Sequence, residues 1–198
     1  MTKAYIFDIG GVLIGLNMEA CIRAFRENLG FDRITELLDP YHQKGIYGDL
    51  EAGLLSADGF RTQILAGSRP GCRPEDVDRS MAALLTGMDP RTVRAVKALK
   101  GQYPLYLLSN NNPISMVRCH EVLAENGLGD AFAEEFISSD MKMLKPSPQF
   151  YSEVVRRIGL PASEIVFIDD NQANVEGAAA VGLDARLYKS GTDIGLVL

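Results

Sequence analysis

Four or five short runs of consecutive apolar residues stand out along the chain. Each run is rich in β-branched or aromatic residues and ends at polar residues or glycine. Continuous apolar runs are typical of strands buried on both faces, as in a parallel sheet. We therefore predict strands at residues 4–7, 105–108, 135–138, 165–168 and 185–188.

Between several of these runs, apolar residues recur at the spacing of one helix face. Asp89-Pro90 and Ser147-Pro148 each supply an N-cap residue followed by a first-turn proline, and a glycine ends each pattern. We predict helices at about residues 89–101, 147–159 and 172–181. Strands that alternate with helices indicate a doubly wound α/β sheet.

One segment does not alternate. Residues 16–88 contain no convincing strand, only helical patterns at about 19–29, 57–65 and 74–85. The segment falls between the first and second strands. We therefore predict a helical insertion at 16–88 in an α/β core formed by 1–15 and 89–198.

Composition narrows the class of protein. The 198 residues are 46% hydrophobic and 23% charged, which is ordinary for a globular chain. A net charge of −6, with no basic run longer than Arg156-Arg157, predicts neither a nucleic-acid nor a membrane partner. Three scattered cysteines indicate a reducing compartment, and no stretch resembles a signal peptide or membrane span. We expect a cytoplasmic protein.

Polar residues follow the predicted strands. In open α/β sheets, ligands bind at the carboxyl ends of the strands, so these residues are candidates for one site. Glycines there would let the backbone approach a ligand closely. The residues are Asp8, Gly10, Gly11, Ser109, Asn110, Lys145, Asp169 and Asp170.

Carboxylates that meet at a strand end repel one another and favour a cation or a proton. Asp8 and Asp170 could share Mg²⁺, which prefers one or two carboxylates together with waters and phosphate oxygens. Lys145 could stabilise phosphate charge, and Ser109 could hold a phosphate oxygen. The residues therefore favour a magnesium-assisted phosphate site.

Four motifs support this interpretation: Phe-Asp8-Ile-Gly10-Gly-Val, Leu-Leu-Ser109-Asn110, Lys145-Pro146 and Phe-Ile-Asp169-Asp170-Asn171. In order and spacing they resemble the signature motifs of the haloacid dehalogenase-like superfamily. The resemblance covers the whole chain, because the insertion sits where that family carries its smaller cap. Within the family, the chain looks most like the phosphatase branch with a helical cap. The resemblance implies a Rossmann-like core and a Mg²⁺-dependent phosphatase acting on a small phosphorylated metabolite, such as a sugar phosphate.

The resemblance also implies a role for each motif residue. Asp8 would be the nucleophile that forms an aspartyl-phosphate. The metal would be held by Asp8, the backbone carbonyl of Gly10 and Asp170, with Asp169 as a supporting carboxylate behind them. Such a nucleophile splits hydrolysis into two easier steps.

The second and third motifs would handle the transferred group. Ser109 and Asn110, together with the backbone at Gly11, would bind the phosphoryl group. Lys145 would stabilise its negative charge.

One position departs from the family pattern. The usual first motif has a second aspartate two residues after the nucleophile, which acts as general acid and then base. This chain has Gly10 there, and glycine cannot transfer a proton. General acid–base help is worth about 10²–10⁴ in rate. The sequence therefore predicts a preference for phosphates with stable leaving groups, unless a proton donor lies elsewhere, for example in the insertion.

Simpler explanations exist for single residues. Asp8 could cap a turn, and Asp169-Asp170 could cap the helix that follows. Four residues of the insertion could face the site, although a solvated surface is the expected role. Cys119 is expected to be buried packing, and His120 a partly exposed helix residue. The insertion residues concerned are His42, Gln43, Lys44 and Tyr47.

Two other functions remain open from the sequence. The first is a binding or regulatory protein that kept the fold and lost turnover, for which Gly10 is the only support. The second is haloacid dehalogenation, which needs no metal and so leaves the paired carboxylates unexplained.

Overall fold

Five parallel strands form one sheet. The structure is a computed structural model that describes residues 1–39 and 43–198. The strand order is β3-β2-β1-β4-β5, with β1 at the centre. The strands are β1 (Ala4–Phe7), β2 (Leu105–Ser109), β3 (Glu134–Ile137), β4 (Ile165–Asp169) and β5 (Asp184–Leu187). All five predicted strands are present, within a residue of the predicted bounds.

Both faces of the sheet are covered, as the continuous apolar runs predict. Successive side chains of β1 alternate between two hydrophobic cores: Tyr5 and Phe7 enter one, and Ala4 and Ile6 enter the other. The doubly wound α/β architecture predicted from the sequence is thus confirmed.

Helices of the α/β part lie on these two faces. The first core takes apolar residues from α6 (Pro90–Leu99) and α7 (Pro113–Glu125). The second takes them from α9 (Pro148–Ile158) and α10 (Gln172–Ala180), while α8 (Ser138–Met141) follows β3 directly. The Asp89 side chain accepts a hydrogen bond from the backbone N–H of Arg91 at 2.7 Å, which is the predicted N-cap of α6.

The segment between β1 and α6 is helical and has a core of its own. Its helices are α1 (Met18–Ala24), continued by a π-helix (Phe25–Leu29), then α2 (Ile34–Leu37), α3 (Gly45–Glu51), α4 (Ala57–Ala66) and α5 (Pro74–Ala82). Three of these match the predicted patterns, whereas α2 and α3 were not predicted. In the described part of the chain, no helix is long and apolar enough to cross a membrane.

The chain enters and leaves this helical segment at one place. Leu16 and Leu85 form an antiparallel bridge. Beside it, Gly15 N–H donates to the Gly87 carbonyl at 3.0 Å, and Asn17 N–H donates to the Leu84 carbonyl at 2.8 Å. This short paired junction places the helical segment over the carboxyl end of β1.

Candidate active site

A buried lysine joins two strand-end carboxylates. The Nζ atom of Lys145 lies 2.9 Å from Oδ1 of Asp8, which follows β1, and 2.6 Å from Oδ2 of Asp169, which ends β4. The Lys145 ammonium also donates to the carbonyl of Leu108 at 3.1 Å. The four motifs of the sequence thus meet at one edge of the sheet, as the parallel topology requires.

Burial and charge act against each other in this cluster. Burial, opposed by Lys145 and assisted by the charges of Asp169 and Asp170, raises the pKa of Asp8 to about 6. For Lys145, burial lowers the pKa, but the charges of Asp169 and Asp8 outweigh it and leave the pKa above its ordinary value. Lys145 is therefore a permanent cation, held between two acids.

Asp169 is fully buried and bonded on every side. Its carboxylate accepts hydrogen bonds from Asn174 Nδ2 at 3.0 and 3.2 Å and from the Asn171 N–H at 2.8 Å. With Lys145 as well, this carboxylate orients its neighbours. Asn174 was not singled out from the sequence, although it lies in the first turn of the helix that the fourth motif opens.

Asp170 is the least buried of the three carboxylates. The N-cap of α10 is Asn171, whose Oδ1 accepts from the Ala173 and Asn174 N–H groups, so neither aspartate caps this helix. Burial raises the pKa of Asp170, as does the charge of Asp169. Gly11 has φ = 80°, and a Cβ there would lie 2.1 Å from Asp170 Oδ2. Glycine at position 11 therefore makes the space in which the Asp170 carboxylate sits.

The side chain of Asn110 binds the backbone of the loop that carries Lys145. Its Oδ1 accepts from the backbone N–H of Lys145 at 2.8 Å, and its Nδ2 donates to the Lys145 carbonyl at 3.0 Å. Each end of the amide thus makes one bond to the Lys145 backbone, and the second Nδ2 hydrogen leaves the phosphoryl contact implied by the resemblance as a prediction. Asn110 and Ser109, which is buried at the end of β2, both line the cavity above the carboxylates.

That cavity has a volume of about 150 Å³ and lies between the sheet edge and the helical segment. Most of the residues that line it have polar side chains, and Leu16, Leu84 and Leu85 contribute apolar surface. The polar and glycine residues of the lining include Asp8, Gly10, Ser109, Lys145, Asp170 and Glu51.

The helical segment contributes more to the cavity than the sequence predicted. Tyr47 is buried, and its hydroxyl faces the side chains of Ser115 and Asn112. Gln43 also lines the cavity, so a solvated surface was the wrong expectation for both Gln43 and Tyr47. Lys44 does lie at the surface, where it pairs with Asp39 at 2.9 Å.

Only one of the two histidines lies within the described residues. His42 lies outside the described residues. His120 is exposed, with Nε2 2.8 Å from Glu135 Oε2, and Cys119 is buried, as predicted for both.

The carboxylate cluster fits a divalent cation. One oxygen each from Asp8, Asp169 and Asp170 lies within 4.8 Å of the others. Three ionised carboxylates against one ammonium leave an excess of negative charge, and all the donor atoms are oxygens. Mg²⁺ prefers this donor set.

Two phosphatases are similar to the chain in sequence. The chain is 30% identical to a D-ribitol-5-phosphate phosphatase from Bacteroides thetaiotaomicron, over 98% of this chain and 95% of that protein. It is also 29% identical to a sesquiterpene phosphatase from Aspergillus oryzae, over 91% of this chain and 87% of that protein.

A solved structure is similar throughout. A wild-type haloacid dehalogenase family enzyme from B. thetaiotaomicron, in complex with magnesium and inorganic phosphate, gives a TM-score of 0.86 at 28% identity. The match covers 98% of this chain and 97% of that one. An L-2-haloacid dehalogenase from Xanthobacter autotrophicus, with a TM-score of 0.63 at 21% identity, shares the fold.

The family itself is settled by a direct match. The family model of haloacid dehalogenase-like hydrolases covers residues 2–182, which span all four motifs and both parts of the chain. The chain therefore belongs to the haloacid dehalogenase-like hydrolase family, and the protein is a hydrolase.

Proposed function

We propose that this protein is a magnesium-dependent phosphatase that hydrolyses a small phosphorylated sugar or polyol through an aspartyl-phosphate on Asp8. The observation that carries the proposal is the Asp8 carboxylate, ion-paired with a buried Lys145 and grouped with Asp170 at the sheet edge. The phosphatase names of two relatives support it.

In this proposal, Asp8 attacks the phosphorus atom and becomes the acceptor of the phosphoryl group. Lys145 lies on one side of the Asp8 carboxylate, so its charge reaches the carboxylate and the incoming phosphoryl oxygens together. Ser109 holds a phosphoryl oxygen from the end of β2.

Asp8, the carbonyl of Gly10 and Asp170 would hold Mg²⁺, with Asp169 supporting them. The cation supplies positive charge that offsets the negative charge on the phosphoryl oxygens. Asp169 would support the metal ligands and not bind Mg²⁺ directly, because Lys145 and Asn174 already bind its carboxylate.

The helical segment at 16–88 acts as a cap that excludes water and selects the substrate. Its residues Gln43 and Tyr47 reach the same cavity as Asp8. A polar cavity of about 150 Å³ favours a small hydroxylated phosphate over a large apolar one.

Two alternatives fit the site less well. A dehalogenase has no need of a cation, whereas Asp169 and Asp170 beside Asp8 favour one. A binding protein without turnover would not need Asp8, Lys145 and Asp170 together, and all three are in place.

The test is a panel of phosphorylated metabolites, containing pentitol, pentose and hexose phosphates and apolar prenyl phosphates. Released phosphate is measured first with Mg²⁺ and then with a chelator. We expect turnover of small polyol or sugar phosphates that stops on chelation. Hydrolysis unaffected by the chelator, or confined to the prenyl phosphates, would contradict the proposal.

A further inference from the structure

The first motif lacks its proton donor, and a second acid reaches the same cavity from the helical segment. Glu51 is the last residue of α3 and lines the cavity together with Asp8, Lys145 and Asp170. Gly10, at the position of the usual acid, lines it as well. The cavity therefore contains a carboxyl group that the four motifs do not supply.

Glu51 is held in place by its backbone. Ser138, the first residue of α8, donates from Oγ to the Glu51 carbonyl at 2.6 Å, and the same Oγ accepts from the Asn111 N–H at 3.0 Å. Two residues further on, Gly53 has φ = 67°, and a Cβ there would lie 2.1 Å from the Ser139 carbonyl oxygen. The end of α3 is thus seated directly on the α/β part, where a long side chain reaches the site.

The backbone of Glu51 is hydrogen-bonded to Ser138, but its side chain has no such partner among the described residues. Among residues 1–39 and 43–198, no hydrogen bond or ion pair engages its carboxyl group. Tyr47 lies one turn earlier on the same face of α3 and is buried. A half-buried carboxyl group that faces a cavity without a protein partner is available to a ligand.

Burial is the main reason why this carboxyl group stays protonated at neutral pH. Burial, with a smaller contribution from the negative charge of Asp8 and against the opposing charge of Lys145, raises the pKa of Glu51 to about 8. Tyr47, the other titratable group beside it, is neutral because burial raises its pKa well above the ordinary value. Glu51 can therefore donate a proton in the pH range where Asp8 is ionised.

We propose that Glu51 is the general acid and base of the reaction, replacing from the helical segment the aspartate that Gly10 lacks. The proposal rests on the phosphatase function proposed above and assigns its missing catalytic residue.

The proton balance of the two steps is simple. In the first step, an Asp8 oxygen bonds to phosphorus, the phosphorus–oxygen bond to the leaving group breaks, and the Glu51 carboxyl proton passes to the leaving oxygen. In the second step, a water oxygen bonds to phosphorus and the Asp8 oxygen–phosphorus bond breaks. Glu51, now a carboxylate, takes the proton of that water and is ready for the next turnover.

A consequence concerns the choice of substrate. Alkyl phosphates have poor leaving groups and need the proton, whereas nitrophenyl phosphate leaves a stable anion and does not. With Glu51 as donor, the protein would hydrolyse alkyl phosphates well, contrary to the preference expected from Gly10 alone.

The test compares the parent, Glu51→Gln and the control Asp49→Asn, which changes an exposed acid on the same helix. Rapid-quench experiments with Mg²⁺ measure the first step on D-ribitol 5-phosphate, an alkyl phosphate, and on 4-nitrophenyl phosphate. We expect Glu51→Gln to slow the first step by about 10²–10⁴ on the alkyl phosphate. On the nitrophenyl ester the first step should stay near the parent rate and give a burst, because water attack on the aspartyl-phosphate lacks its base.

The pH profile provides a second readout. In the parent, the first-step rate on the alkyl phosphate should fall as the pH rises through about 8. In Glu51→Gln this fall should be absent, and Asp49→Asn should behave like the parent.

Three results would overturn the proposal. Equal losses on both esters would mean that Glu51 has a structural role, and unchanged rates on both would mean that it has no role. A marked loss of Mg²⁺ affinity in Glu51→Gln, measured by calorimetry, would make it a metal ligand. A parent that forms no phosphoenzyme from either ester contradicts the phosphatase function itself, which is a different result from these three.

Discussion

The side-chain amide of Asn110 spans the backbone of Lys145, bonding its N–H at 2.8 Å and its carbonyl at 3.0 Å. The end of β2 thereby fixes the loop that carries the lysine. Through these two bonds Asn110 positions Lys145, although its Nδ2 carries a second hydrogen and the residue also lines the cavity.

Asn110→Ala should therefore lower kcat more than it raises KM. A displaced Lys145 would stabilise the transferred phosphoryl group poorly. A misplacement of about 1 Å can cost about 10² in rate. Steady-state kinetics measure the split, with Asn126→Ala at the end of α7 as a control away from the site. A higher KM at unchanged kcat would instead indicate direct contact with the substrate.

Asp8→Asn should abolish turnover and leave the fold intact. The amide has almost the same shape but is a far weaker nucleophile, so the rate should fall by several orders of magnitude. Phosphate release and circular dichroism are the measurements, and Asp32→Asn, an exposed surface change, is the control. Near-parental activity in Asp8→Asn would refute the nucleophile assignment.

The roles proposed for Asp169 and Asp170 predict different Mg²⁺ affinities for their Asn variants. Asp170→Asn should weaken Mg²⁺ binding more than Asp169→Asn does. Replacing a carboxylate that only supports the metal ligands typically lowers the metal affinity by about 10–100-fold, whereas Asp170→Asn removes a ligand itself. Calorimetric titration gives the affinities.

Without metal, Asp169→Asn should lower the free energy of unfolding more than Asp170→Asn does, which is the reverse of their order in Mg²⁺ affinity. Asp169→Asn removes the charge closest to the buried Lys145, and breaking a buried pair costs up to about 3–5 kcal/mol. Asp170 has no ion pair among the described residues, so Asp170→Asn should cost less. If one variant had both the lower Mg²⁺ affinity and the lower metal-free stability, Asp170 would not be the ligand and Asp169 the supporting carboxylate.

Gly53 and Gly71 form a matched pair. Both have positive φ, 67° and 90°, but a Cβ at Gly53 would meet the Ser139 carbonyl oxygen, whereas Gly71 has open space around it. Gly71→Ala should cost about 1–2 kcal/mol from backbone strain alone. Gly53→Ala should cost more in urea unfolding, since the end of α3 must move. Equal costs would mean that the contact with Ser139 relaxes freely.

The buried carboxyl of Glu51 should also make stability depend on pH. Between its ordinary pKa of 4.5 and its folded pKa of about 8, Glu51 is ionised in the unfolded chain and protonated in the folded one. The folded state then binds more protons, so stability falls as the pH rises across this window, by about 1.4 kcal/mol for each pKa unit of difference.

Glu51→Gln removes this term. In chelator, the variant should match the parent near pH 4.5 and become the more stable protein by pH 8, as measured by urea unfolding at each pH. Parallel stability curves for the two proteins would show that the Glu51 pKa is not raised.

The strands and the strand-end motifs could be predicted because both are local. Each apolar run specifies its own strand, and the parallel topology then brings Asp8, Lys145 and Asp169 to one edge. Two features could not be predicted in this way. The helix α3 contains Gly45 and Gly48, which are poor helix formers, and it depends on tertiary burial of Tyr47 and Leu50. The position of Glu51 over the site depends on contacts with Ser138 and Ser139, far away in the chain.

The roles of Asn110 and Asn171 show the same limit. Several amides stand together after β2 and β4, and sequence alone does not tell which of them meets backbone and which meets a ligand. In the structure Asn110 serves Lys145, and Asn171 caps α10. The resemblance assigns roles to each motif as a unit, whereas the contacts of each amide within a motif follow from the geometry.

The paired junction at Leu16 and Leu85 has a consequence for how such enzymes diverge. A segment whose two ends lie side by side is, for the rest of the molecule, equivalent to a short loop. It can lengthen, shrink or be exchanged for another without altering the order of the strands, because closing a longer loop costs only slowly increasing entropy. If Glu51 supplies the proton, one such exchange would replace substrate contacts and acid together, while Asp8 and Lys145 stayed unchanged beneath it.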